Sequence, residues 1–145
     1  MKKLFSLGLV AMLALTAVIS SCSKYEEGSN FSLISAKGRV AGDWKLSSYT
    51  INGTDYTSSM GTINVTFDKD GTYTGTATYV VLGASFTDSY SGTWAFNNDK
   101  TALLLTATGS ATVDTQTIVM LKSKMMKLKS TDTAGGVTIL TIEQQ

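Results

Sequence analysis

Cys22 is the only cysteine in the 145-residue chain, which contains no histidine and no proline. A thiolate is a strong nucleophile, but catalysis needs a base beside it. Without histidine, the Ser-His and Cys-His mechanisms and the histidine-ligated metal sites are excluded by composition. Carboxylates are left for acid–base work, and they are scattered singly, with no pair in a shared apolar setting. Asp88 is the one that alternates with aromatic positions. Buried and unpaired there, it would be costly and therefore functional; at the solvated end of a strand it would be neither, and that second position is the one expected. Asp68-Lys69-Asp70-Gly71 has the opening of a calcium loop without its later ligands or closing glutamate, and it reads as a hairpin turn. No residue is assigned a catalytic role, no cofactor or metal is implied, and the chain is expected not to be an enzyme.

The surroundings of Cys22 give it another use. Lys2 and Lys3 precede an apolar run over residues 4–19, and Ile19-Ser20-Ser21 stands directly before the cysteine. A charged start, an apolar stretch and small residues before a cut make a secretory signal. The run is short of the roughly 20 residues that a membrane-spanning helix needs. The arrangement resembles a bacterial lipoprotein signal, which implies lipid on the Cys22 thiol, cleavage before it, and residence at the cell envelope, with the outer membrane or cell surface as the expected address. The signal peptide is then 1–21, and the mature chain has 145 − 21 = 124 residues, enough for one domain. Its partner is the membrane, reached through the lipid.

Removing Lys2 and Lys3 leaves 10 basic and 11 acidic side chains, so no broad basic surface recommends nucleic acid as a partner. Residues 22–37 read as a lipidated polar tether, expected to be mobile, with a possible short helix from Asn30 to Gly38 that would lay Phe31, Leu33 and Ile34 over one end of the domain. Lys24, Glu26 and Glu27 resemble the acidic signals that send some lipoproteins to the cell surface; they also read as an ordinary solvated linker. Four lysines, Lys122, Lys124, Lys127 and Lys129, could face an anionic lipid or acidic glycan, but the preferred reading is that they keep a sheet edge soluble.

From Gly42 onward the hydrophobic pattern has period two, with β-branched and aromatic residues between short turns. Strands are predicted over 44–51, 62–67, 72–82, 85–96, 101–106, 112–121, 125–130 and 137–143. Met125 and Met126 displace the alternation by one residue, which predicts a bulge or turn there. Short connections imply antiparallel neighbours. The fold class is therefore all-β, an antiparallel up-and-down meander of about eight strands, and closure into a small barrel is preferred because it removes exposed edges. Gly75, Gly83 and Gly92 would permit the sharp curvature.

Gly42-Asp43-Trp44, Thr66 through Tyr73 across a hairpin, and Gly92-Thr93-Trp94 together resemble the lipocalin-like domains of bacterial lipoproteins. The resemblance covers roughly residues 38–142, and the barrel domain is placed at 38–145. It implies a small up-and-down barrel, and the wider lipocalin group binds small hydrophobic molecules inside. The arginine that lipocalins place near the last strand is missing, since Arg39 is the only arginine and precedes the first strand. The ligand-binding candidates are Trp44, Phe67, Tyr73, Tyr79, Phe86, Asp88, Tyr90 and Trp94, which either line a pocket or fill a solid core. The function expected is binding of a small hydrophobic or amphipathic ligand. The alternative is a solid interaction module for an unknown protein or a glycan.

Overall fold

Period-two alternation turns one face of each strand toward a core and the other toward water. In a computed structural model of the chain, which describes residues 24–27 and 33–145, that pattern becomes strands at the predicted places. They are β1 (Gly42–Ile51), β2 (Thr54–Asp55), β3 (Thr62–Phe67), β4 (Thr72–Val81), β5 (Ala84–Phe96), β6 (Ala102–Ala107), β7 (Val113–Leu121), β8 (Met125–Thr131) and β9 (Val137–Gln144). Each of β3 to β9 pairs antiparallel with its sequence neighbour. β1 pairs with β3 on one side and β9 on the other, which closes an eight-stranded barrel. The two-residue β2, unforeseen in the sequence, only extends one end of β1. Among the described residues no helix is long and apolar enough to cross a membrane.

Two bulges displace the alternation. One lies between Leu46 and Ser48 in β1 and the other between Ile118 and Met120 in β7. An extra residue on one strand switches the parity of everything after it. In β1, Leu46 faces Ile142 across the ladder, and beyond the bulge it is Tyr49 that faces Leu140. The irregularity read at Met125 and Met126 thus belongs to the opposite strand, at Val119; the chain turns at residues 122–124, and β8 then pairs regularly with β9.

One end of the barrel is sealed. A five-residue helix, α1 (Ala36–Val40), is capped by the Ser35 hydroxyl, which accepts a hydrogen bond from the Gly38 amide. Val40 and Trp44 have no exposed surface, and the Trp44 indole donates to the Val40 carbonyl at 2.8 Å. Arg39, also buried, donates from Nη1 to the Leu121 carbonyl at 2.6 Å. Leu103, Leu121, Met126 and Ile142 complete this layer. The helix expected to begin at Asn30 is displaced: it starts after Ser35, and Leu33 and Ile34 are exposed rather than buried over the end of the barrel. Asn30 and Phe31, like Cys22 and the expected signal peptide at 1–21, lie outside the described residues.

The expectation of a free polar tether is corrected at residues 24–27. Tyr25 is 3% exposed and belongs to the core cluster, with the Arg39 guanidinium 5.9 Å from its ring centre. The Glu27 amide donates to the carbonyl of Val119, the bulge residue. Lys127 and Lys129 pair with Glu27 and Glu26. β8 lies between β7 and β9, so it is no edge, and these two lysines hold the N-terminal segment instead of keeping an edge soluble.

Candidate functional site

The opposite end of the barrel is open. Register explains why: β5 pairs with β6 only from Gly92 onward, and β3 meets β4 only as far as Thr78. Beyond those points β4 and β5 pair with each other alone and project as a hairpin. Its two-residue turn, Leu82-Gly83, has positive φ at both positions, 51° and 83°, the conformation that matches hairpin twist. The fold places Leu82 there fully exposed, with Val80, Val81 and Phe86 beside it.

Below the hairpin is a cavity of about 310 Å³. Its walls come from Tyr49, Ile63, Val65, Phe67, Tyr73, Tyr90, Leu105, Asp114, Gln116, Leu128, Ser130, Thr138, Leu140 and Ile142. Every barrel strand contributes, at alternate positions, so this is the barrel's interior. Of the two arrangements left open for the aromatic face, a pocket lining or a solid core, the barrel holds both, at different depths. Side chains fill only the sealed end, and Gly75 and Gly92 keep two wall positions small. A Cβ on Gly92 would lie 2.2 Å from the Thr106 carbonyl oxygen, and one on Gly75 would lie 2.3 Å from the Tyr90 ring. Each glycine faces a tyrosine across the β4–β5 ladder, Gly75 opposite Tyr90 and Gly92 opposite Tyr73.

The lining is sorted by depth. Phe67, Leu128 and Ile142 stand toward the sealed end, while Asp114, Gln116, Ser130 and Thr138 come from the open ends of β7, β8 and β9. The Gln116 amide donates to Asp114 Oδ2 at 2.8 Å. Tyr90, across Gly75, donates to the Asn64 carbonyl at 3.2 Å. Burial holds the Tyr73 and Tyr90 hydroxyls above the ordinary tyrosine pKa; the Asp114 charge adds to the shift at Tyr73, and Tyr73 adds to that at Tyr90. An aromatic column leads down from the cavity: ring centres are 6.4 Å apart for Tyr90 and Tyr73, 6.0 Å for Tyr73 and Phe67, and 5.8 Å for Phe67 and Trp94.

Three of the eight candidates, Phe67, Tyr73 and Tyr90, line the cavity. Trp44 and Trp94 do not: both are buried, and each indole donates to a backbone carbonyl, of Val40 and Asp68 respectively. Tyr79, Phe86 and Asp88 have the inward parity but stand on the projecting hairpin, where no wall faces them. There Tyr79 stacks on Phe86 at 6.0 Å, and its hydroxyl donates to the exposed Asp88 at 2.9 Å. Asp68 through Thr72 form a hairpin turn, in which Asp70 accepts from both the amide and the hydroxyl of Thr72.

Sequence reasoning missed Tyr49, because the β1 bulge reversed its parity, and it missed Asp114 and Gln116. The signal for those two was present: residues 114, 116 and 118 alternate like the other strands, but polar residues at two of the three positions disguised the inner face. A second concavity, of about 820 Å³, lies on the outer face over β3, β4 and β5 and is floored by Thr66, Thr74, Thr76, Ser89 and Ser91.

Among solved structures, a redesigned β-barrel is similar to this chain at 15% identity, covering 79% of it and 99% of the barrel, with a TM-score of 0.49. The odorant-binding protein of bovine nasal mucosa is similar at 14% identity, covering 83% of this chain and 77% of its own, with a TM-score of 0.47. No curated protein matches the sequence. The lipocalin-like domain family matches residues 40–128, a span that begins at the buried Val40 beneath the barrel and ends within β8. That is more than half of the chain, and the chain belongs to the lipocalin-like domain family.

Proposed function

We propose that this protein is a lipid-anchored envelope protein that binds a small hydrophobic or amphipathic molecule inside its barrel and catalyses no reaction. The single observation that carries the ligand reading is the cavity, sealed below, open above and walled mostly by apolar side chains. Its volume is at the lower end of the roughly 300–1,000 Å³ usual for ligand sites, so the occupant is small. The address rests on the Lys2–Lys3 start, the apolar run and Cys22.

Native mass spectrometry of gently purified protein, followed by titration with medium-chain amphiphiles, tests the ligand half. A bound mass, or saturable binding with one site per chain, is expected; no binding by any of them sinks the reading. For the anchor, Cys22→Ser should move the protein from the membrane fraction to the soluble one, and unchanged partition would remove the lipoprotein reading. A second reading, an interaction module that binds a protein or glycan through its outer surface, is favoured by the exposed apolar tip formed by Val80, Val81, Leu82 and Phe86. Loss of function on changing that tip, with the cavity left intact, would select it.

A further inference from the structure

Of the fourteen described residues that line the cavity, one is charged, Asp114. It stands opposite the inward-facing Leu105 on the β6–β7 ladder, second in β7, and is exposed at the mouth of the cavity. Gln116 fixes it: the amide donates to Oδ2, which spends that donor on the carboxylate. Ser130 and Thr138 bring hydroxyls to the same end of the cavity, and these donate or accept equally well. Farther in, the wall is Phe67, Leu105, Leu128, Leu140 and Ile142 with the ring of Tyr73, whose hydroxyl is the polar group at that depth. A ligand with a tail and a head group would therefore place its tail down and its head beside Asp114.

We infer that the cavity selects neutral or cationic amphiphiles, with a hydroxyl or ammonium head, over carboxylates, and that Asp114 is the residue that imposes this preference. The inference rests on the ligand-binding reading above. An anionic head would sit beside a fixed anion with no cation among the described lining residues to offset it, and although Asp114 is exposed, a charge within a few ångströms repels it even through water. An ammonium or hydroxyl head donates to the free carboxylate oxygen instead. Asp114 already acts in this way on the molecule itself, since its charge disfavours a phenolate at Tyr73. Size limits the ligand too: about 150 Å³ accommodates a benzene ring, and the 310 Å³ here is about twice that. A decyl chain with one small head group is of that order.

The test uses 1-decanol, decylamine and decanoate, with binding to the purified full chain followed by calorimetry. Decanol and decylammonium should bind at least tenfold more tightly than decanoate. Desolvation of the carboxylate could by itself produce that order, so the variants decide. Asp114→Asn should strengthen decanoate and weaken decylammonium, each at least threefold and in opposite directions, with decanol little changed. Asp114→Lys should place decanoate ahead of decylammonium. Shifts of the same sign for all three compounds, in a variant whose unfolding curve matches the parent, would overturn the role of Asp114 and leave the cavity a binding site. Absence of binding by all three, in parent and variants alike, would overturn both this inference and the reading beneath it.

Discussion

The two ends of the barrel are built from the same alternating pattern and do opposite things. At the sealed end, neighbouring strands contribute large side chains at one level, α1 closes the floor, and even Arg39 is drawn under cover. At the open end the strands differ in length, the β4–β5 hairpin outruns both neighbours, and a void is left. Side-chain packing is therefore concentrated at one end and open volume at the other. Elements relieved of packing are the ones free to accept a ligand.

The largest expected effect tests the sealed end. Trp44→Ala removes a fully buried indole and its hydrogen bond to Val40. A loss of about 3–5 kcal/mol is expected, a large part of a typical domain's stability. Urea unfolding measures it, and a loss below about 1 kcal/mol would break the contrast between the ends.

Next comes a pair of glycines between the ends. Gly92→Ala drives a methyl group toward the Thr106 backbone carbonyl, which cannot swing away, and should cost about 1–3 kcal/mol. Gly75→Ala meets the ring of Tyr90, which is partly exposed and can move, so the loss should be smaller. If the two variants unfold at the same midpoint, the wall is not more yielding toward the mouth.

A third change should stabilise. Leu82 holds a left-handed backbone conformation that costs an ordinary residue about 1–2 kcal/mol and that asparagine tolerates. Leu82→Asn should raise stability by about 0.5–1 kcal/mol in the same unfolding assay. A loss instead would show that the tip is packed against something.

The smallest effect appears only in alkali. Tyr73 and Tyr90 are held above the ordinary tyrosine value of 10.0. Above pH 10 the unfolded chain gives up these protons before the folded one does, so the folded state binds more protons and stability falls as pH rises. Their contribution is fully present below pH 10 and is lost as pH climbs through the raised values. The double variant Tyr73→Phe/Tyr90→Phe should flatten that fall, as followed by unfolding at pH 9 to 11. An unchanged slope would mean that these hydroxyls are no more buried than in the unfolded chain.

Much of this architecture is legible in the sequence. Period-two runs such as Thr72 to Val81 announce their strands and faces, and short turns such as Asp68 to Gly71 oblige neighbours to pair. The eight candidate residues share the apolar face of their strands, and face does not report depth. Phe86 and Tyr90 have the same parity on one strand, yet Tyr90 lines the cavity while Phe86 stands outside, because β6 ends opposite Gly92. The charged neighbours of Tyr25 make it look like tether, yet its ring is buried in the core cluster beside Arg39, where Lys127 and Lys129, a hundred residues later, pair with Glu27 and Glu26.

By itself, then, the sequence determined the strand pattern, the all-β class, the family and the exclusion of histidine chemistry, since each depends on local order or composition. Tertiary structure decided which aromatics meet a void, where the bulges reverse parity, and that Asp114 is the one charge among the described residues lining the cavity, at its mouth. Those outcomes depend on strand register and relative strand length, which are settled only when distant segments pair.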